Sequence, residues 1–215
     1  MKLPELGVLY ADDALLVLEK PAGLLSVPGR GEDKQDCVSA QALRQFPDAL
    51  VVHRLDMSTS GLMLMARGAL AQRRLNDAFA NRTVSKRYIA VIDGLPDTQP
   101  EAWNLIDLPI VVDWPNRPRR IVDAVHGKSS QTRWRVLSYD ELKNATRVEL
   151  EPITGRSHQL RVHMKAIGHA ILGDALYSDS RVEQLSDRLL LHASLIEFSH
   201  PLENKLMTFT SSPAF

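Results

Sequence analysis

Cysteine is nearly missing: Cys37 stands alone in a chain of 215 residues. A lone thiol closes no internal disulfide and builds no thiolate zinc site, which fits a reducing, cytoplasmic compartment. Long apolar runs are missing too. None approaches the ~20 residues that a membrane span needs, so no membrane partner is expected. The stretch Met1 to Tyr10 carries Pro4 and Glu5 where a secretory leader would hold an uninterrupted apolar core. No internal repeat, low-complexity tract or Ser/Gly-rich linker divides the chain, so one continuous domain over residues 1–215 is expected. What is present is ordinary for a globular protein: 44% hydrophobic and 24% charged residues, which excludes a disordered chain, a collagen and a coiled coil.

Net charge is also lacking, since 26 basic residues balance 26 acidic ones. Their distribution is uneven. From Arg54 to Lys165 there are 18 Lys and Arg against 12 Asp and Glu, and the two flanks carry the opposite imbalance. Contact with phosphate depends on the local patch and not on the sum.

Hydrophobic spacing sets out the elements. Leu15–Glu19 reads as a short buried strand that Lys20-Pro21-Ala22-Gly23 turns sharply. Leu62–Ala66 reads as a second. The polar stretch Asp56–Ser60 between apolar neighbours is a loop on rigid supports, a common place for chemistry. Ala71, Leu75, Ala78 and Phe79 follow helical spacing, with Arg73, Arg74 and Asn76 facing away. Tyr88–Ile92 reads as a strand, closed by Asp93-Gly94. Asp107–Arg120, with three prolines, is expected to be a loop. Val148 and Leu150 share one face of a strand over Arg147–Glu151. Leu160, His163, Met164 and Ile167 mark a helix that Gly168 would cap. Leu189–Phe198 and Lys205–Thr210 read as late strands. Strands and helices mix without strict alternation, which predicts an α+β fold with a mixed sheet.

Common catalytic patterns are missing as well. There is no G-x-S-x-G elbow, no G-x-x-x-x-G-K-[ST] and no G-x-G-x-x-G. His158, His163 and His169 are spaced by five and six residues, whereas paired helical ligands stand at i and i+4. They are expected to cap or pack. A metal-dependent phosphodiesterase built on His53, Asp56, His158 and His163 is therefore poorly supported, and no metal is expected.

Two charged segments remain, His53-Arg54-Leu55-Asp56-Met57-Ser58-Thr59-Ser60-Gly61 and Thr154-Gly155-Arg156-Ser157-His158-Gln159-Leu160-Arg161-Val162-His163. In this order they resemble the RluA-type pseudouridine synthases, whose hallmarks are an R-L-D-x-x-T-S-G loop and a later T-G-R-x-H-Q-[IL]-R-x-H. Lys20-Pro21-Ala22-Gly23, Lys86-Arg87-Tyr88-Ile89-Ala90 and the segment His169–Tyr177, with Gly173-Asp174, match further stretches of that family. Gly23–Arg30, Asp107-Leu108-Pro109 and Asp113-Trp114-Pro115-Asn116-Arg117-Pro118 look like its short bacterial members.

The resemblance implies a pseudouridine synthase fold: a mixed, largely antiparallel curved sheet flanked by helices. It implies an isomerase that breaks the bond from ribose C1′ to uracil N1 and joins C1′ to C5. Such a reaction needs no cofactor. For the short members the substrates are a stem-loop of large-subunit ribosomal RNA and a tRNA anticodon loop. The catalytic pattern begins close to Met1, so no N-terminal S4-like domain is expected. Asp56 takes the position of the carboxylate that acts at the glycosidic carbon, Tyr88 that of the active-site tyrosine, and Arg161 that of the basic partner of Asp56. A target uridine must leave its stack to be reached, at a cost of a few kcal/mol that is lowest in loops. Arg54 would fill the vacated space, with His53 a second candidate. Lys86, Arg87, Arg117, Arg119, Arg120, Arg156 and His158 are candidate RNA contacts. The chain is expected to act as a monomer. Two further readings compete with this one: a noncatalytic RNA-binding module, and an enzyme with a single RNA substrate.

Overall fold

The computed structural model describes residues 6–99 and 101–215. The N-terminal expectation over Met1–Tyr10 therefore falls partly on residues outside the described ones. In chain order the elements begin with β1 (Gly7–Ala11), β2 (Leu15–Lys20), α1 (Val38–Gln45), β3 (Ala49–Val51), β4 (Ser60–Arg67) and α2 (Ala69–Ala80). Next come β5 (Ser85–Asp93), β6 (Asn104–Asp107), β7 (Ile110–Val112), β8 (Arg120–Val122), β9 (Gln131–Asp140) and β10 (Ala145–Pro152). The chain closes with α3 (Gln159–Ala166), α4 (Ser180–Glu183), β11 (Leu191–Ser199) and β12 (Leu206–Thr210). The described residues fall into two compact units, 6–86 with 192–214, and 87–99 and 101–191 with Phe215.

In the first unit β2 pairs with β1 and β4, β3 also pairs with β4, and β12 pairs with β11, all antiparallel. β11 meets β4 in parallel through Ser60–His192 and Gly61–Ala193. The apolar run of β4 follows from burial on both faces. Leu62, Leu64 and Ala66 pack with Ala71 and Leu75 of α2, while Met63 and Met65 pack with Val38 and Ala42 of α1. β2 is divided in the same way, Leu15 and Val17 on one side and Leu16 and Leu18 on the other. At Gly61, φ is +107°, and a Cβ would run into the backbone of Ala193. Only glycine lets β4 and β11 approach so closely.

In the second unit β10 pairs with β5 and β9, and β9 with β6, all antiparallel. One face is the core. Ala90, Ile92, Val148, Leu150, Trp134 and Val136 cluster there with Leu160 and Met164 of α3. The other face is charged, which is why β9 and β10 alternate where β4 does not. The guanidiniums of Arg87, Arg133 and Arg135 gather around the Trp103 ring at 4.7–4.9 Å. Glu149 accepts from Arg87 and Arg135, and Glu151 pairs with Arg133.

The α+β, largely antiparallel expectation is thus met, as are the strands and helices read around the two motifs. The expected loop over Asp107–Arg120 is corrected. β7 and β8 form an antiparallel hairpin, Ile110 opposite Val122, and only residues 113–119 are its loop. The prolines end the strands without preventing them: Pro109 precedes β7, while Pro115 and Pro118 lie between the strands. Buried Ile110 anchors the hairpin against Val162 of α3 and Tyr177.

Candidate active site

Asp56 lies half-buried in the loop from β3 to β4, and both of its neighbours are pinned. The Leu55 N–H donates to Ser26 Oγ at 3.1 Å, and Ser26 Oγ donates to the Leu55 carbonyl at 2.7 Å. On the other side the Met57 carbonyl accepts from the Gly23 N–H at 2.8 Å and from the Lys20 ammonium at 2.9 Å. Lys20 is fully buried and also donates to the carbonyls of Pro21 and Leu24. A buried ammonium is tolerable only with such partners. The Lys20-Pro21-Ala22-Gly23 turn therefore clamps the loop that carries Asp56. Thr59 N–H closes the loop on the Asp56 carbonyl at 3.1 Å. Arg54 is exposed. At the foot of the loop, buried His192 bridges the hydroxyls of Ser60 and Ser211, each at 2.9 Å.

His53 and Lys86 share one ring. The imidazole stacks on Phe79 at 4.8 Å between centroids, and the Lys86 ammonium lies 5.8 Å from the same ring. His53 Nε2 accepts the Leu64 N–H at 2.8 Å. Burial first, and then the charge of Lys86, push the imidazole down from 6.5 to about 3. Burial likewise lowers the Lys86 ammonium from the ordinary lysine range. The folded chain thus holds His53 neutral where an unfolded chain would protonate it. Its stabilising contribution is complete above pH 6.5 and is lost as pH falls toward 3, at up to about 1.4 kcal/mol per pH unit. Urea midpoints measured from pH 7 to pH 4.5 should show this decline, and His53→Gln should flatten it. Parallel profiles for the two proteins would remove the assignment.

In the second unit Tyr88 points to the core face of β5 and packs against that cluster. Its neighbour Arg87 takes the opposite face, beside Glu149 and Glu151. The Thr154-Gly155-Arg156-Ser157-His158-Gln159 segment is a lock around one amide. Gln159 Oε1 accepts from Thr154 Oγ1 at 2.7 Å and from the Arg156 N–H at 3.0 Å. Its Nε2 donates to the Gln131 carbonyl and to Thr132 Oγ1. His158, at φ 58°, occupies the N-cap of α3, and exposed Arg156 lies 3.3 Å from the Ser129 carbonyl.

His163 is wholly buried, with Nδ1 2.8 Å from Thr132 Oγ1 and Nε2 2.9 Å from the Leu108 carbonyl. A carbonyl only accepts, so Nε2 carries the proton and Thr132 donates to Nδ1. Burial lowers this imidazole, in keeping with the neutral form. His169 Nδ1 lies 2.8 Å from the Asp93 carbonyl. All three histidines cap or pack, as their spacing predicts. Among the described residues no three His, Cys, Asp or Glu side chains gather to hold a metal, and no helix is long and apolar enough to cross a membrane.

Arg161 is buried in α3. It donates to Asp174 twice, Nε to Oδ2 at 2.8 Å and Nη2 to Oδ1 at 2.6 Å. Its guanidinium stands 5.0 Å from the Tyr177 ring. The Tyr177 hydroxyl accepts the Arg120 N–H at 2.8 Å and lies 2.6 Å from His158 Nδ1. Arg161, His158 and Arg120 thus converge on Tyr177. The sequence motifs by themselves assign no role to Asp174 or Tyr177. A signal is present, in the Gly173-Asp174 and Tyr177 of the matched segment, but a partner 13 residues away follows no helical or strand period. Arg119 is exposed, and Arg117 lies 4.7 Å from the Trp114 ring.

The sequence model of the RNA pseudouridylate synthase family matches residues 14–166, which includes both charged motifs. The chain belongs to the RNA pseudouridine synthases. It is 46% identical to the "Dual-specificity RNA pseudouridine synthase RluA" of Escherichia coli K12 over 212 residues, covering 99% of this chain and 95% of that one. The protein of the same name from Yersinia pestis is 47% identical, covering 97% and 99%. Among solved structures, "Human RNA Pseudouridylate Synthase Domain Containing 1" superposes with a TM-score of 0.80 at 27% identity, covering 98% of this chain and 84% of that one. "Human RNA Pseudouridylate Synthase Domain Containing 4" gives 0.76 at 25% identity, covering 97% and 89%. As a pseudouridine synthase the chain is an isomerase that acts on RNA.

Proposed function

We propose that this pseudouridine synthase is of dual specificity and modifies uridines in a stem-loop of large-subunit ribosomal RNA and in a tRNA anticodon loop. The observation that carries this reading is the near full-length likeness to relatives named for dual specificity, at 46–47% identity. The Asp56 carboxylate acts at C1′ of an everted uridine. The C1′–N1 bond breaks, the detached base is retained and turned, the C1′–C5 bond forms, C5 gives up its proton and N1 takes one. Every atom the product needs is supplied by the substrate and water, so no cofactor enters. Arg161 is the basic partner that keeps the carboxylate ionised, anchored for that task by Asp174. Tyr88 stacks on the base and assists removal of the C5 proton. Arg54, exposed on the Asp56 loop, fills the space the uridine leaves. Arg117, Arg119, Arg120 and Arg156 contact phosphates, while His53, Lys86, Arg87 and His158 contribute by fixing the elements around them. The protein works as a monomer in the cytoplasm, as a single catalytic domain over residues 1–215.

The test uses RNA labelled with tritium at uridine C5, because forming the new carbon bond releases that label to water. Both RNA classes should release tritium without added metal or nucleotide, at one mapped uridine position in each. Release from one class alone would reduce the protein to a single-substrate enzyme.

A further inference from the structure

The three tryptophans differ in their surroundings. Trp134 is buried in the core of the second unit, and Trp103 lies beneath three guanidiniums. Trp114 sits in the β7–β8 loop and is 66% exposed. Tryptophan is rarely left so open without a partner to meet. The loop that presents it is well ordered by its own bonds. Asp113 N–H donates to the Arg119 carbonyl, Arg119 N–H to the Asn116 carbonyl, and Asn116 Nδ2 to Asp113 Oδ2, all at 3.0–3.1 Å. The ring is therefore presented at low entropic cost, with the Arg117 guanidinium 4.7 Å from its centre.

At the base of this loop lies an open cavity of about 260 Å³. Arg119, Arg120 and Lys165 line it, with Asp113, Tyr177 and apolar side chains that include Val122 and Val162. Three cations against one carboxylate favour an anion. The same Tyr177 accepts from Arg120 and stands over Arg161, so the loop is tied to the helix that carries the proposed basic partner of Asp56. An aromatic platform beside a basic cavity is the arrangement that single-stranded nucleic acid requires, a stacking face for the base and cations for the backbone.

We propose that the β7–β8 loop is a second nucleotide subsite, separate from the pocket for the reacting uridine. Trp114 stacks on an unpaired base of the substrate stem-loop, and Arg119, Arg120 and Lys165 take the adjoining phosphates. This rests on the RNA pseudouridine synthase reading. It adds that the enzyme selects its loops partly by an unpaired neighbour that Trp114 grips.

The experiment measures steady-state tritium release and equilibrium RNA binding for the full-length parent, Trp114→Ala and Trp114→Phe. Base–aromatic stacking of the usual strength predicts that Trp114→Ala raises KM and Kd by about 5- to 150-fold, with the loss falling on KM and not on kcat. Trp114→Phe keeps a stacking ring and should recover most of it. A substrate carrying an abasic residue at the gripped position should bind the parent as weakly as it binds Trp114→Ala, with no further loss in the combination. Equal KM and Kd for parent and Trp114→Ala would overturn the subsite. So would loss of self-association in Trp114→Ala at unchanged RNA affinity, which would make the ring a protein contact. If the parent released no tritium, the enzymatic reading would fall, while the binding comparison would still decide the subsite.

Discussion

Asp56→Asn is expected to slow pseudouridine formation by about 10²- to 10⁴-fold, the range that a lost acid, base or nucleophile commonly costs. The exchange keeps the size of the side chain and removes its charge. The loop has supports in Ser26, Gly23 and Lys20 that bond to the backbone of Leu55 and Met57, and the exchange leaves these in place. Unfolding midpoints should therefore move little, by about 0.5 kcal/mol or less, and RNA binding should persist. Asp56→Glu separates charge from position. It restores the carboxylate but carries it about one bond further, and a displacement of ~1 Å is enough to cost ~100-fold. Single-turnover tritium release with RNA bound to saturation reads the chemical step alone. An Asp56→Asn protein as fast as the parent would remove Asp56 from the chemical step.

How much of the fold and the site is legible in the sequence depends on the range of the interactions involved. β4 can be read because both of its faces are buried and its side chains are apolar without a break. α2 can be read because Ala71 and Leu75 face the core and Arg73 and Arg74 do not. The carboxylate loop is visible as a polar stretch between apolar neighbours. Its clamp is not. Lys20 reads as a turn lysine, and only the fold makes it a buried ammonium bonded to a carbonyl 37 positions away. The β7–β8 hairpin is hidden by its prolines, since two three-residue strands give alternation too little length to register. His53 reads as a group near RNA, and its acceptor role toward Leu64 follows from a strand pairing that no local pattern encodes. Trp114 stands out only as part of a matching segment, because exposure is a property of the folded chain.

Asp174→Asn should strongly destabilise the second unit. The Arg161 side chain is 4% exposed and that of Asp174 0%. Removing the Asp174 charge strips a buried guanidinium of both bonds of this pair, at a cost of about 3–5 kcal/mol, a large part of the roughly 5–15 kcal/mol that holds a typical domain together. The damage is confined to the pair. Asp174 Oδ1 also accepts the N–H groups of Leu176 and Tyr177, at 3.0 and 3.1 Å, and the amide oxygen of the Asp174→Asn variant can still accept both, so the turn that sets the Tyr177 ring is kept. A comparison within the same unit isolates burial as the cause. Arg181 makes a bidentate pair with Asp93 of similar length, 2.6 and 3.0 Å, but is 60% exposed. Water screens that pair, and Arg181→Gln should scarcely move the urea midpoint. The loss in Asp174→Asn should also be insensitive to salt, as a desolvated pair is screened little. The double variant Arg161→Met with Asp174→Asn removes both charges together while keeping the acceptor for Leu176 and Tyr177, and it should regain much of the stability that Asp174→Asn alone loses. It should not regain catalysis, because the proposed partner of Asp56 is then gone. Stability and turnover would part in one protein, whereas recovery of both would show that Arg161 serves the fold alone.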